Sequence, residues 1–315
     1  MNQNKKRYIV TGGAGFIGSH LVDRLRYHNH EVVVIDDLSS GHEKNISSDL
    51  SIPLIKKQVQ KITNEDVFSA DGIFHLAAQA SVPYSVDNFY KSSENNLLST
   101  LKVFEWCKNQ NIPVVYASSS AVYGNIIIGD DTKKKYNIRS PYAQVKLSME
   151  HYAKMCWDLY KVPSVGLRFF NVYGPRQDPN NPYSGVISIF IDRLIKNKPV
   201  TINWGLQTRD FIYVIDIVEI IIKSMEYLFN NKSCKVFNGA TGLSITINEL
   251  LSMLSNILEI QPEIIIKPLP LGDPKKSCGT NIKLKEILNI NTDQFVKLQD
   301  GLKNTIKYIK GNKSQ

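Results

Sequence analysis

Cysteine is scarce in this chain and scattered: Cys107, Cys156, Cys234 and Cys278 form no C-x-x-C pair and have no flanking histidine at metal-ligand spacing. A disulfide framework and a thiolate zinc site are therefore disfavoured; free thiols and no metal are expected. Long hydrophobic runs are lacking as well. Val32–Ile35 and Ile217–Ile222 are broken by charges or turn residues well before the roughly 20 apolar residues that a bilayer-spanning helix needs, so no membrane partner is expected. Met1–Arg7 is polar and basic, but the apolar stretch behind it is short and runs into Gly12-Gly13, a poor match to a secretory leader. A cytoplasmic protein is expected. Clustered charge is the third absence. The formal net charge is +9, yet the lysines are spread along the chain apart from Lys133-Lys134-Lys135. A nucleic-acid footprint needs clustering on one face or a recognised module, so no nucleic-acid partner is expected. A general richness in Asn, Ile and Lys accounts for much of the charge, which still suits anionic small substrates through long-range steering.

Hydrophobic residues at 43% and charged residues at 21% are near globular averages and disfavour disorder or a fibrous repeat. At roughly 100–200 residues per domain, 315 residues make two domains, or one large α/β unit with a smaller lobe. Short β-branched runs alternate with longer stretches of helical period, the signature of parallel strands joined by crossover helices. The expected strands are Tyr8–Val10, Glu31–Ile35, Ser51–Ile55, Gly72–Leu76, Val114–Ser118, Val165–Leu167 and Lys235–Phe237. Between them, Phe16, Ile17, His20, Leu21, Arg24 and Leu25 mark one helix face, and Leu97, Leu98, Leu101, Phe104 and Glu105 another. After Leu167 the pattern loosens into a Pro/Gly/Asn-rich passage, Tyr173-Gly174-Pro175 through Asn180-Asn181-Pro182, expected as a long ordered loop. Helical stripes recur at Ile187–Leu194, Ile247–Leu258 and Ile282–Leu288, and Phe295–Ile309 precedes a polar tail. Because Lys235–Phe237 still reads as a buried strand, the two lobes are expected to be interleaved in sequence.

The strongest local signal is Thr11-Gly12-Gly13-Ala14-Gly15-Phe16-Ile17-Gly18, a glycine fingerprint that follows a strand and opens a helix. Missing side chains allow a tight turn and let backbone N–H groups approach a pyrophosphate at the positive end of the helix. Asp36 ends the second strand about 20 residues further on, where a carboxylate accepts hydrogen bonds from the adenosine ribose diol and repels a 2′-phosphate. NAD is expected rather than NADP, since Asp37-Leu38-Ser39-Ser40 offers no arginine. Tyr142 and Lys146 then stand four apart, on one helix face. An ammonium beside a phenol favours phenolate and draws the tyrosine towards service as a base. A serine of Ser118-Ser119-Ser120, at the end of the fifth strand, can hold the reacting oxygen.

These residues resemble the extended short-chain dehydrogenase/reductases that act on nucleotide sugars, and among them the UDP-hexose 4-epimerases. The resemblance also runs through Ile35-Asp36-Asp37-Leu38-Ser39-Ser40-Gly41, His75-Leu76-Ala77-Ala78-Gln79-Ala80-Ser81-Val82 and Ser118-Ser119-Ser120-Ala121-Val122-Tyr123-Gly124. It continues in Ser140-Pro141-Tyr142, Leu167-Arg168-Phe169-Phe170-Asn171-Val172-Tyr173-Gly174-Pro175 and Thr208-Arg209-Asp210-Phe211-Ile212-Tyr213-Val214. It implies an α/β fold, a doubly wound parallel Rossmann sheet with a smaller C-terminal substrate-binding lobe. Residues 1–172, with 210–241 returning, would form the NAD domain, and 173–209 with 242–315 the nucleotide-sugar lobe.

The resemblance implies that Ser119, Tyr142 and Lys146 are catalytic. It assigns NAD to Gly12, Gly15, Phe16, Ile17 and Gly18, to Asp36, Asp37 and Ser40, to Gln58 and Val59, to Leu76, Ala77 and Ala78, to Asn96, and to Ser118, Tyr142 and Lys146. Ser81, Ser119, Asn171, Arg209 and Ser277 would meet the substrate, Ser277 beside the C2 substituent of the sugar. Two positions depart from the pattern. Gln58 stands where an aspartate near the adenine is usual, and Pro270 where an arginine three residues before Asp273 would grip the diphosphate; Lys275 or Lys276 would have to replace it as a point charge. The implied activity is C4 inversion of a UDP-sugar through a transient 4-keto sugar, in a homodimer formed by helices around Asn96–Lys108 and Tyr142–Leu159. The alternatives are a 4,6-dehydratase, a decarboxylase, a 4-ketoreductase or a non-catalytic NAD sensor. Dehydratases of this kind carry Asp-Glu directly after the catalytic hydroxyl residue and decarboxylases a Glu at the second place, where this chain has Ser120 and Ala121.

Overall fold

The computed structural model describes residues 5–46, 52–65, 69–108, 110–181, 184–270 and 273–311. Ser51, Pro182, Leu271, Gly272 and the tail beyond residue 311 lie outside them. Seven strands make one parallel sheet: β1 (Arg7–Thr11), β2 (Glu31–Ile35), β3 (Leu54–Ile55), β4 (Gly72–His75), β5 (Val114–Ser119), β6 (Ser164–Phe169) and β7 (Cys234–Gly239). Their spatial order is β7-β6-β5-β4-β1-β2-β3. The order reverses between β1 and β4, the switch point at which such sheets take ligands outside the carboxyl ends of their strands. Each expected strand falls on one of the seven, with ends moved by a few residues.

Both faces of the sheet are covered, which explains why Val32-Val33-Val34-Ile35 is apolar without alternation. Ile9, Val33, Ile35, Ile73, Val114 and Tyr116 share a core with Val103, Phe104, Trp106 and Cys107 of α3 (Phe89–Cys107) and with Val145, Met149, Ala153 and Cys156 of α4 (Pro141–Tyr160). Successive strand residues point to opposite faces, so Tyr8, Val10, Val32, Val34, Phe74 and Val115, equally buried, form the other side. There Tyr8 meets the rings of Phe74 and Phe229. The N-terminal α1 (Phe16–Tyr27) carries Arg24 and Arg26 in its last turn, where cations suit the helix dipole.

The chain separates into two compact units, crossing from one to the other after Ser119, Ser140, Arg168, Ile217 and Phe237. The first contains the sheet. The second takes Ser120–Ser140, Phe169–Ile217 and Asn238–Gln315, so 120–140 does not travel with the first unit and the returning segment is Val218–Phe237 rather than 210–241. Hydrogen bonding supplies the reason: 128–129 pairs with Cys278–Gly279, and the Asn238 amide donates to the carbonyls of Gly129 and Thr280. The core of this unit is built from α5 (Val186–Ile195), α7 (Ile247–Leu258) and α9 (Leu298–Gly311), through Ile187, Phe190, Ile191, Leu194, Leu250, Leu251, Leu254, Leu302 and Ile306. Each fully buried Leu or Ile contributes roughly 1.5–3 kcal/mol. α7 starts with a capping box in which Thr246 and Glu249 satisfy each other's N–H groups. Two helices are absent from the expected set: the short α2 (Val82–Asp87) and α6 (Val214–Asn230). In α6, Val214, Ile217, Val218, Ile220 and Ile221 are buried, and a polar row at Asp216, Glu219, Lys223 and Glu226 runs beside them at the spacing of an amphipathic helix. Among the described residues no helix is long and apolar enough to cross a membrane.

Candidate active site

The turn from β1 to α1 is closed by Gly12, whose φ of +70° is a left-handed conformation that favours glycine. A Cβ there would stand 2.7 Å from the Ala77 nitrogen, and one on Gly18 only 2.1 Å from the Gly12 carbonyl oxygen. The loop backbone is thus drawn down onto the first turn of α1, where Phe16, Ile17 and Gly18 present N–H groups with no intrahelical acceptor. Asp36 follows β2 and is buried. Its Oδ2 accepts from the Ala14 N–H at 2.9 Å and its Oδ1 from the Leu38 N–H at 2.8 Å; each oxygen keeps a further lone pair for a diol. Burial raises its carboxyl pKa and the two N–H bonds oppose that rise. Asp37 is exposed and accepts from the Ser39 N–H and hydroxyl. Ser40 and Gln58 are exposed and Val59 is buried.

Beneath the turn Leu76–Ala78, which is half-buried, runs a chain of hydrogen bonds that the sequence does not reveal. The Ala77 N–H donates to Thr11 Oγ1 at 3.3 Å, Thr11 Oγ1 lies 2.8 Å from His75 Nδ1, and His75 Nε2 lies 3.1 Å from Thr100 Oγ1. Thr100 Oγ1 in turn donates to the Asn96 carbonyl at 2.8 Å. Since Thr100 has one hydroxyl proton and spends it on Asn96, it accepts from Nε2–H; burial keeps the imidazole neutral, and Nδ1 then accepts from Thr11. Burial first, and then the charge of Lys146, bring its pKa down to about 3. Asn96 is itself buried and clamps Gln79, accepting from its N–H at 2.7 Å and donating to its carbonyl at 2.9 Å.

Ser119 closes β5, and Tyr142 and Lys146 lie one turn apart at the start of α4. Ser119 is hydrogen-bonded to the Tyr142 hydroxyl. Lys146 Nζ donates to the Ala117 carbonyl at 2.6 Å and lies 5.6 Å from the centre of the Tyr142 ring. The Tyr142 N–H donates to Ser85 Oγ of α2 at 3.2 Å, which fixes the first turn of α4. Burial drives both groups towards neutrality: the Tyr142 phenol pKa is raised, with the Ser119 bond opposing, and the Lys146 ammonium is brought down to about 7. Burial thus opposes the pull of the ammonium on the phenol. With the two residues 8% and 1% exposed, loss of water outweighs their mutual effect. Ser118 points elsewhere, its hydroxyl donating to Glu150 Oε1 at 2.6 Å. Ser81 caps α2, its Oγ accepting from the Tyr84 N–H at 3.1 Å.

In the second unit, Asn171 donates through its N–H to the Asp210 carbonyl at 3.0 Å. Arg209 Nη2 meets Asp273 Oδ1 at 2.6 Å, while Nη1 donates to the carbonyls of Thr208 and Pro274, each at 2.8 Å. The aspartate three residues beyond Pro270 therefore holds Arg209 in place. Lys275 and Lys276 are exposed, with Lys275 Nζ 5.5 Å from the centre of the Trp204 ring. Ser277 is half-buried and its N–H donates to the Thr208 carbonyl at 3.2 Å.

A family model described as "NAD dependent epimerase/dehydratase family" matches residues 8–239. The chain belongs to this family. Among family relatives, a putative UDP-glucose 4-epimerase of Methanocaldococcus jannaschii is 33% identical over 312 residues, 96% of this chain and 98% of that one. A UDP-glucuronic acid decarboxylase of Arabidopsis thaliana is 31% identical, over 96% of this chain and 69% of that one. The solved structure of a UDP-N-acetylglucosamine 4-epimerase from Methanobrevibacter ruminantium, in complex with UDP-N-acetylmuramic acid, superposes with a TM-score of 0.91. It is 37% identical, with 98% of this chain and all of that one covered. The protein is thus an NAD-dependent enzyme that modifies nucleotide sugars. The loop fits that cofactor: two glycines packed against backbone too closely for any Cβ, a helix N-terminus behind them, and the buried Asp36 carboxylate with lone pairs to spare.

Proposed function

We propose that the protein is an NAD-dependent 4-epimerase of a UDP-linked sugar, taking UDP-N-acetylglucosamine or UDP-glucose and their C4 epimers. The reading is carried by the Ser119, Tyr142 and Lys146 arrangement followed by Ser120 and Ala121. Eliminating water across C5–C6 calls for an added acid and base, and the resembling decarboxylases place a glutamate at the second position; here stand a hydroxyl and a methyl. The first unit would hold NAD through the glycine loop, Asp36 and the Leu76–Ala78 turn; in the second, Arg209 is the proposed anchor of the diphosphate, and Asn171 and Ser277 are proposed contacts of the nucleotide sugar. Bound there, NAD would supply a reversible hydride acceptor for C4. Tyr142 Oη takes the proton of the 4-hydroxyl in the first half-reaction and gives it back to the C4 oxygen in the second. Ser119 Oγ, already at the Tyr142 hydroxyl, holds that oxygen in line. Lys146, protonated, favours the phenolate. Inversion follows when the keto sugar turns between the two transfers while Arg209 retains the diphosphate. Exposed Leu98 on α3, and Tyr152 and Leu159 on α4, support a homodimer through these helices.

The test is to incubate the purified protein with UDP-glucose, UDP-galactose, UDP-N-acetylglucosamine and UDP-N-acetylgalactosamine and to resolve the C4 epimers by chromatography. Interconversion within at least one pair is expected, and Tyr142→Phe should keep the fold and lose about 10²–10⁴-fold in rate. A pentose product from UDP-glucuronate, or a 4-keto-6-deoxy product, with no inversion of any pair, refutes the reading.

A further inference from the structure

Three consecutive residues at the end of β5 each meet a different residue of α4. The Ala117 carbonyl accepts from Lys146 Nζ, the Ser118 hydroxyl donates to Glu150 Oε1, and Ser119 is bonded to the Tyr142 hydroxyl. Positions 142, 146 and 150 are successive turns of one helix face. Glu150 is buried and held from a second strand: Arg168 of β6 donates through Nε to Oε1 at 2.8 Å and through Nη2 to Oε2 at 2.6 Å. β5 and β6 are neighbours in the sheet, so one carboxylate ties the catalytic helix to two adjacent strands.

We propose that Glu150 is a positioning residue, which fixes the tilt of α4 so that Tyr142 Oη stays in register with Ser119. The inference rests on the reading of Tyr142 as the base. A buried ion pair is a weak stabiliser, because desolvation rivals attraction and an apolar pair of similar volume often folds as well. What the guanidinium fork adds is direction, since two parallel bonds fix both plane and distance. Without the Glu150 tie, α4 is held to β5 at Lys146 and at its first turn by the longer Ser85 bond, and can pivot about Lys146. Four residues at 1.5 Å rise put Glu150 about 6 Å from the pivot on one side and Tyr142 the same distance on the other. A tilt that lets position 150 slip by about 1 Å therefore swings Tyr142 by about 1 Å the opposite way, and a misplacement of that size costs up to about 10²-fold in rate.

The double variant Glu150→Met/Arg168→Met removes both charges at similar side-chain length. Its melting temperature should stay near that of the wild type, while kcat on the UDP-sugar pair falls about 10- to 100-fold and KM holds. Arg168→Lys keeps the charge and loses the fork. It should show the same split, kcat down and KM unmoved, and it decides the matter if the double variant does not fold. Tyr142→Phe is measured alongside. Wild-type kcat in the folded double variant or in Arg168→Lys, with Tyr142→Phe inactive, overturns the positioning role alone; an active Tyr142→Phe overturns the reading of the site and this inference with it.

Discussion

Gly18→Ala sets two effects against each other. An alanine inside a helix is favoured over glycine by about 1 kcal/mol, so α1 by itself gains. Against this, the new Cβ would sit 2.1 Å from the Gly12 carbonyl oxygen and 2.8 Å from Gly13 Cα, where real Cβ atoms stay beyond 3.0 Å. The Gly12 carbonyl must retreat by the difference, 3.0 − 2.1 = 0.9 Å, and it is backbone, with no rotamer to turn aside. Overpacking of this kind costs about 1–3 kcal/mol, which the helix gain offsets in part. Global stability should therefore change little, while the displaced backbone is the part that faces the pyrophosphate. NAD affinity should fall about 10- to 100-fold, or roughly 1.4–2.7 kcal/mol. Gly15→Ala is the internal control, because its Cβ would lie 3.1 Å from the same oxygen and needs a shift of only a few tenths of an ångström. Calorimetric titration of NAD into the cofactor-stripped protein, with melting curves for each variant, measures both quantities. Wild-type affinity in Gly18→Ala, or a larger loss in Gly15→Ala, would refute the argument that the close approach at Gly18 shapes the cradle.

Asp36→Ala should weaken NAD more than NADP, since it removes both the ribose acceptor and the charge opposing a 2′-phosphate; equal losses in paired titrations would contradict the ribose role. Burial carries the Lys146 ammonium from 10.5 down to about 7, so between those values the unfolded chain binds a proton that the folded chain lacks, and the Lys146 contribution to stability rises with pH. Urea denaturation of the cofactor-free protein should show wild-type stability climbing relative to Lys146→Met by up to about 5 kcal/mol across that window, and parallel curves would dispose of the idea. Ser277→Tyr should suppress UDP-N-acetylglucosamine and UDP-N-acetylgalactosamine selectively, through a steric cost of about 1–3 kcal/mol, roughly one to two decades in kcat/KM. An unchanged ratio between the acetylated and plain pairs would remove Ser277 from the sugar site.

The parts of the molecule readable in sequence are those whose physics is local. Val32-Val33-Val34-Ile35 declares a strand because both its faces are buried, and Gly12 and Gly18 declare the loop because their backbone must lie where no Cβ fits. Tyr142 and Lys146 declare themselves as a pair by one helical turn. Their protonation does not follow from that spacing, because it depends on how completely the surroundings exclude water, and those surroundings are assembled from distant segments. Ser118 and Glu150 are 32 residues apart, Glu150 and Arg168 18, and Arg209 and Asp273 64. Such pairs obey no period, so nothing in the sequence names Asp273 as the partner of Arg209, and His75 reads as a motif letter until Thr11 and Thr100 are found at its two ring nitrogens. α6 is a different case, since Asp216, Glu219, Lys223 and Glu226 recur at helical spacing beside the buried Ile217, Val218, Ile220 and Ile221, and its stripe is therefore present in the sequence itself. Local rules therefore choose which groups reach the site, whereas long-range contacts set the ångström and the proton on which turnover depends, and substitutions at Glu150 or Thr100 should perturb the chemistry while leaving every motif intact.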